Sequence, residues 1–177
     1  MSSLGYTATP MSRAKIRAMA TAVRSITGLG AQACFDITRF LEIELPKLDP
    51  DFTFLVSERS AMGENLALTH VRERSIEVRE DVYDKACEGW GFDRLTLAHE
   101  LGHYVLHPEV ALARRVGTGS IKAYVDPEWQ ANAFAGELLM PLAVFKRIDP
   151  KGAANTFGVT QKAVETQTAA WRREGLL

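Results

Sequence analysis

The chain has 177 residues, of which 46% are hydrophobic and 24% are charged, and its net charge is −1. This size and composition are typical of a single soluble domain with a sizeable core. The nearly neutral charge excludes a general electrostatic attraction to DNA or to an anionic membrane. No apolar run is long enough to span a membrane, and no signal peptide opens the chain. We therefore expect a cytoplasmic protein in which Cys34 and Cys87 are reduced and buried.

The N-terminal third of the chain is predicted to be mainly helical. Residues 1–10, MSSLGYTATP, are polar and indicate a flexible tail. Ser12 can cap a helix that reaches about residue 26, because apolar residues recur after it at helical spacing. A second helix is expected over residues 31–44, where Pro46 would end it.

Three strands are predicted next, over residues 51–57 (DFTFLVS), 65–70 (NLALTH) and 75–80 (SIEVRE). DFTFLVS is rich in aromatic and aliphatic residues, and SIEVRE alternates polar and apolar residues. Because the segments between them are short, the sequence predicts a small, mainly antiparallel sheet with the strands in meander order.

The second half of the chain is predicted to be helical again. Asp93 can cap a helix that contains TLAHELGHYVLH, and GTGS at 117–120 indicates a loop. Asp126 and Pro127 then supply the cap and first residue of a helix that reaches Met140. The order of helices, small sheet and helices predicts an α+β fold in one domain, residues 1–177.

The C-terminal segment, residues 150–177, resembles a helix-turn-helix. Two short helices are expected over 151–157 and 161–174, with Gly158 at the turn. Because its few basic side chains offer a thin phosphate-binding surface, we do not expect it to bind DNA. The preferred interpretation is a helical hairpin that packs on the core, with docking of a protein substrate as the alternative.

The stretch TLAHELGHYVLH, residues 96–107, has the spacing of a metal site. His99 and His103 lie four residues apart on one helix face, so both imidazoles can reach a single zinc ion. Glu100 is near that ion but angled away from it, where it can take a proton from water. Gly102 would let another backbone approach closely beside the second histidine.

A third ligand must come from elsewhere in the chain. His107 lies about 12 Å along the helix axis from His99, too far to share one ion at zinc bond lengths. Residues 126–141, DPEWQANAFAGELLMP, offer two carboxylates, Glu128 and Glu137. Nine residues apart on a helix, they point in nearly opposite directions.

We expect Glu128 to be the third ligand, because it lies in the first turn of its helix and Asn132 follows on the same face. Asn132 could orient that carboxylate or hold a substrate backbone. Glu137 is expected to reach solvent at the helix edge. The plainer alternative is that Glu128 only stabilises the start of the helix.

These residues resemble the ImmA/IrrE family of metallopeptidases. RLTLAHELGHYVLH followed by PEWQANAFAGELLMP matches the family's two spaced motifs in their order. SIEVREDVYDKA is similar to the strand that precedes the active-site helix in that family. The resemblance extends from about residue 65 to residue 141.

By position, the resemblance implies that His99, His103 and Glu128 bind the metal and that Glu100 is the general base. It also implies zincin-like helices packed on the sheet. Members of the family are cytosolic proteases that cleave helix-turn-helix repressors and so switch on conjugative-element, phage or DNA-damage genes. Zn²⁺ is the usual metal, with Mn²⁺ as an alternative.

The oxyanion of such a reaction needs a hydrogen-bond donor. Tyr104, His70, Tyr124 and Asn132 are the candidates, and the strand over 75–80 could offer an edge to an extended substrate. Two alternatives to a peptidase stay open. One is a non-hydrolytic metal-binding regulator that acts by protein or DNA binding, and the other is a metal-free regulator with a chance motif.

Overall fold

The computed structural model describes residues 5–28, 33–108, 113–115 and 122–177, so the predicted loop at 117–120 lies outside the described residues. The α-helices are α1 (Arg13–Ile26), α2 (Ile37–Arg39), α3 (Leu45–Leu48), α4 (Arg59–Met62), α5 (Glu80–Cys87), α6 (Gly91–Leu106), α7 (Pro127–Leu139), α8 (Leu142–Phe145), α9 (Ala153–Phe157) and α10 (Gln161–Arg173). A π-helical segment, Phe40–Glu44, joins α2 to α3, and short 3-10 turns lie at Ala123–Val125 and Pro150–Gly152. The strands are β1 (Gly5–Thr7), β2 (Thr53–Ser57), β3 (Ala67–His70), β4 (Ser75–Arg79) and β5 (Ala113–Arg115).

The larger sheet has three strands in the order β2, β4, β3. β2 is parallel to β4, with Thr53 opposite Ser75, and β3 is antiparallel to β4, with His70 opposite Ser75. The predicted α+β class with a small three-stranded sheet is confirmed, but the meander order is wrong. The helical turn α4 lies in the connection after β2, so β3 arrives on the far side of β4 rather than beside β2.

The N-terminal segment is more structured than its polar sequence indicated. β1 pairs with β5 in a separate antiparallel ribbon. The backbone N–H groups of Ala8 and Met11 donate to the carbonyl oxygens of Val125 and Tyr124, both at 2.8 Å. The expected flexible tail is therefore corrected from residue 5 onward, because backbone pairing ties this segment to the turn that precedes α7.

The two N-terminal helical segments differ in how well they were predicted. α1 begins where expected, and the Ser12 hydroxyl accepts from a backbone N–H in the first turn. The second segment starts later, after Asp36 caps α2, and it continues to Leu48. Pro46 does not end it, because it lies in the first turn of α3, where its missing N–H is tolerated.

α6 and α7 form the centre of the core. A Cβ added at Gly102 would lie 3.0 Å from Ala131 Cα, so this glycine does allow the close backbone approach that was expected. His107 contacts Gln130 near one end of the pair and His99 contacts Asn132 further along, so the two helices run antiparallel. No helix in the described ranges has the length and apolarity needed to cross a membrane.

Two smaller expectations are corrected. Asp93 is not the cap of α6, which begins two residues earlier at Gly91; its side chain is instead buried in the first turn. Cys34 and Cys87 are unpaired thiols, as expected, but both are exposed rather than buried.

The two C-terminal helices are confirmed, and they pack on the start of α6. Gly158 makes the turn between α9 and α10 with a φ of +63°, which glycine adopts readily. Arg94 Nε donates to the Gly158 carbonyl at 2.9 Å. A Cβ at Gly91 would lie 2.4 Å from the Val159 carbonyl carbon, so the backbones are in direct contact there. Trp171 of α10 is completely buried.

Candidate metal centre

Side chains of α6 and α7 converge where the two helices pack. His99 and His103 lie one turn apart on α6, and their Nε2 atoms are 3.0 Å apart. Glu128 comes from the first turn of α7, which Asp126 caps and Pro127 opens as predicted. One Glu128 carboxylate oxygen, Oε2, lies 3.3 Å from His99 Nε2, and the other, Oε1, lies 3.3 Å from His103 Nε2.

This donor set fits a divalent metal ion. Two imidazole nitrogens and a carboxylate oxygen are ligands that zinc prefers, and bonds of roughly 2.0–2.1 Å place the corners of a tetrahedron roughly 3.3–3.4 Å apart. The observed separations of 3.0–3.3 Å are close to that spacing. His99, His103 and Glu128 could therefore hold a metal ion.

A buried chain of hydrogen bonds sets the tautomer of His103. Gln130 Nε2 donates to the carbonyl oxygens of Tyr124 at 2.9 Å and Thr9 at 3.0 Å, so its Oε1 faces His107 Nε2, 2.9 Å away, and accepts from it. The remaining nitrogen of His107, Nδ1, lies 3.2 Å from His103 Nδ1 and accepts the proton that His103 carries there. His103 Nε2 is then left with a lone pair that faces Glu128.

His99 has a simpler support. Its Nδ1 donates to Asn132 Oδ1 at 3.0 Å, which leaves Nε2 as the lone-pair nitrogen. The expectation that Asn132 would orient Glu128 is corrected, because it contacts the imidazole instead. With both Nε2 lone pairs directed at one another and at a carboxylate, the arrangement requires a proton or a metal ion between them.

The ionisation of the centre follows from these contacts. The imidazoles of His103 and His99, which donate to Glu128 when Nε2 carries a proton, hold the pKa of this carboxyl well below its usual range. Burial lowers the pKa of His99, but the hydrogen bond to Glu128 and the charges of Glu100 and Glu128 raise it above its usual value overall. Burial lowers the pKa of His107, which keeps this ring neutral and able to accept from His103.

Glu100 lines the same cleft as the three ligand candidates, in a depression of about 510 Å³. Its Oε2 accepts from the Thr69 hydroxyl at 2.7 Å, and its backbone carbonyl lies 2.9 Å from the same hydroxyl. Thr69 belongs to β3, which has a free edge within the described sheet. The structure thus places a carboxylate, held by an edge strand, beside the histidines.

The oxyanion candidates are not brought together. The Tyr104 hydroxyl donates to Asp49, and His70 lies 3.1 Å from Glu77 Oε2. Tyr124 is exposed beside Lys122. Of the four, Asn132 is the one that contacts a ligand candidate.

The other carboxylate of α7, Glu137, was expected at a solvent-exposed edge, and this is wrong. It is buried, and its oxygens lie 3.0 Å from Arg13 Nε and from Arg17 Nε. The indole N–H of Trp171 donates to it at 3.3 Å. An apolar run can include a charged residue when another helix supplies the opposite charge, and α1 does so here.

Three residues of the site were missed or given another role from the sequence. Thr69 carries no signal in its own segment, since its role depends on how β3 sits beside α6. His107 was considered as a metal ligand and excluded, although its spacing of four from His103 could have indicated a contact between the rings. Gln130 lies two residues after Glu128, and the sequence gives no sign that it is buried. Its support of His107 is evident only from the structure.

Together, the histidine pair of one helix with HExxH spacing and the glutamate of a second helix form a group on this α+β fold that could hold a metal ion, with a further carboxylate beside it. The family model described as peptidase M78, IrrE N-terminal-like domain, matches residues 65–166, more than half of the chain. The chain belongs to this family, as the sequence motifs had indicated. The family assignment indicates a metal-dependent peptidase or regulator of the IrrE type.

A solved structure supports the fold. A Mycobacterium tuberculosis transcriptional regulator is similar with a TM-score of 0.52 and 15% sequence identity. The match covers 84% of this chain and 44% of that protein, so this chain spans less than half of the regulator's length. No match was found among curated proteins.

Proposed function

We propose that this protein is a metal-dependent endopeptidase that cleaves a helix-turn-helix transcriptional repressor in the cytoplasm and thereby derepresses phage, mobile-element or stress genes. The observation that carries the proposal is the convergence of His99, His103 and Glu128 within 3.0–3.3 Å, with Glu100 in the same cleft. Membership of the peptidase M78 family supports the peptidase chemistry. The similar fold of a transcriptional regulator is consistent with a role in gene regulation.

In this proposal His99, His103 and Glu128 hold the metal, Zn²⁺ or alternatively Mn²⁺. When bound, such an ion supplies Lewis acidity, which activates water and polarises a carbonyl group. The hydrogen bonds that His99 donates to Asn132 and that His103 donates to the His107–Gln130 chain keep both imidazoles in the metal-binding tautomer.

Glu100 is the proposed general base. It takes a proton from the attacking water and returns it to the leaving amine. Thr69 holds one carboxylate oxygen at 2.7 Å, which leaves the other free to face the substrate. Asn132, beside His99, is retained as the candidate that stabilises the oxyanion.

An extended substrate can add to the free edge of β3, which carries Thr69. The strand over 75–80, which the sequence had indicated for this role, cannot supply an edge because β4 lies between β2 and β3. Leu68 and Val71 line the cleft beside Glu100 and would contact the substrate there.

The test is cleavage of a helix-turn-helix repressor encoded next to this protein's gene. The purified repressor is incubated with the native protein and Zn²⁺ or Mn²⁺, and fragments are identified by mass spectrometry. Glu100→Gln should retain bound metal, measured by elemental analysis, and lose cleavage by at least about 100-fold, in keeping with the loss of a general base. Glu165→Gln, at an exposed glutamate of α10, is the matched control and should cleave normally.

Full cleavage by Glu100→Gln would show that this residue is not the base. If the native protein holds metal and binds the repressor without cutting it, the non-hydrolytic metal-binding regulator is the correct function instead.

A further inference from the structure

A groove separate from the catalytic cleft starts at the metal centre and runs to the C-terminal hairpin. It has a volume of about 670 Å³, within the usual range for ligand sites, and it lies between α6, α7 and α10. His99 lines both this groove and the cleft over Glu100. The groove therefore adjoins the proposed reaction centre, and a chain that fills it would extend to that centre.

Much of the groove is lined by apolar side chains. They are Phe92 and Leu95 of α6, Trp129 of α7, Met140 at the end of α7 and Ala163 of α10. Phe92 is 58% exposed, which is unusual for a large aromatic side chain beside a reaction centre. Such a surface suits a large apolar side chain of a bound peptide.

The charged side chains that line the groove are basic. Lys162 and Arg173 of α10 line it, and neither has an ion-pair partner among the described residues. Arg13 also lines it, but Glu137 already neutralises that guanidinium. None of the described residues that line the groove is acidic.

The cleft on the other side of His99 has the opposite character. Glu73, Glu100 and Glu128 line it, against a single cation, Arg72. The groove therefore favours a negatively charged segment on its side of His99, whereas the proposed metal ion would offset the carboxylates of the cleft.

We infer that the groove binds the protein substrate on one side of the scissile bond, through a segment with a large apolar side chain flanked by carboxylates. This inference rests on the proposed function and adds the substrate chemistry to it. The hairpin of α9 and α10 then acts in substrate recognition. Lys162 and Arg173 attract the carboxylates, and Phe92 and Trp129 hold the apolar side chain.

The experiment measures binding without cleavage. A fluorescein-labelled decapeptide with Leu, Phe and four Glu residues is titrated against Zn²⁺-loaded Glu100→Gln protein, and anisotropy gives the Kd. A second peptide carries Lys in place of the four Glu residues. We expect the acidic peptide to bind at least about 10-fold more tightly, because like charges disfavour the basic one.

Two variant pairs locate the binding surface. Lys162→Glu with Arg173→Glu should weaken acidic-peptide binding by at least about 10-fold. Lys151→Glu with Arg172→Glu makes the same charge change at exposed residues outside the groove and should alter the Kd less than about twofold. Thr166→Trp should block the groove, whereas Ala169→Trp, on the same helix but outside the groove, should not.

An unchanged Kd in both the charge-reversed and the Thr166→Trp proteins would overturn the inference. Tighter binding of a labelled DNA duplex, lost in the Lys162→Glu, Arg173→Glu protein, would also overturn it and assign the hairpin to nucleic acid. If the acidic peptide binds as expected but the native protein cleaves no repressor, the groove assignment stands and the proposed peptidase function fails. If the groove variants cleave the repressor as well as the native protein does, the proposed peptidase function stands and the groove assignment fails.

Discussion

The two ends of α7 carry glutamates in opposite surroundings. The Glu128 side chain is 66% exposed and faces two imidazoles. The Glu137 side chain has no solvent exposure and faces the guanidinium groups of Arg13 and Arg17. The residue type and the helix are the same, so their different roles come from what the neighbouring helices bring to them.

The difference lies in whether the opposite charge is permanent. Arginine is always protonated, so Glu137 has its compensating charge within the fold at any pH at which the protein is folded. An imidazole is charged only when protonated, and here each ligand histidine donates through Nδ1 and presents a lone pair at Nε2. Glu128 and the two imidazoles therefore lack a fixed cation, and a metal ion can supply it.

The largest expected effect is on metal binding at the start of α7. Glu128→Gln removes one of the three proposed ligands, so we expect metal affinity to fall by more than about 100-fold, beyond what loss of a residue that only supports a ligand costs. Competition with a chromogenic chelator measures the affinity. Glu137→Gln is the matched control on the same helix and should bind metal within about twofold of the native protein. Equal losses in the two variants would contradict the assignment of Glu128.

The second-largest expected effect is on stability, and here Glu137→Gln should have the greater effect and Glu128→Gln the smaller one. With metal removed by EDTA, Glu137→Gln should lower the free energy of unfolding by about 3 kcal/mol, because it leaves two guanidinium groups facing a neutral amide. Glu174, which lies 2.7 Å from Arg17 Nη2, limits the loss. Urea denaturation measures both variants, and Glu128→Gln should change the unfolding free energy by less than about 1 kcal/mol at its exposed position. A larger loss in Glu128→Gln would show that the two ends of α7 do not differ in this way.

The sequence predicted the start of α7 better than its end. At the start, local rules apply: Asp126 and Pro127 set the first turn, and the spacing of His99 and His103 defines a site that needs a third ligand. At the end, Glu137 depends on guanidinium groups that lie 120 and 124 residues away in the chain. No local pattern reports a contact of that range, so the buried ion pair was missed.

The same limit applies to the sheet and to the support of the ligands. The strands were recognised from their own composition, but the central position of β4 depends on the path of the chain through α4. The His107–Gln130 chain joins the two helices through side chains that look unremarkable in sequence. The convergence of His99, His103 and Glu128 was thus predictable from sequence, whereas the orientation of each side chain was not.

The smallest expected effect is a difference in pH dependence between the metal-free and metal-bound states. In the metal-free protein the pKa of His99 is raised above its usual 6.5, so its stabilising contribution is complete below about pH 6.5 and is lost as the pH rises through the raised value. The pKa of Glu128 is lowered from 4.5, so its contribution is present above about pH 4.5 and is lost as the pH falls further. The pair therefore stabilises the metal-free fold most between these two values.

Metal binding reverses this trend, because the ion and the proton compete for the same Nε2 atoms. In EDTA, the difference in unfolding free energy between the native protein and Glu128→Gln should shrink from pH 6 to pH 8, by less than about 1 kcal/mol for a pair this exposed. With excess Zn²⁺ the same difference should grow over that range, since deprotonation strengthens binding and binding stabilises the fold. Glu137→Gln should show no such divergence, because its partners are guanidinium groups with a permanent charge. Parallel pH trends with and without metal would mean that Glu128 and His99 do not share the ion.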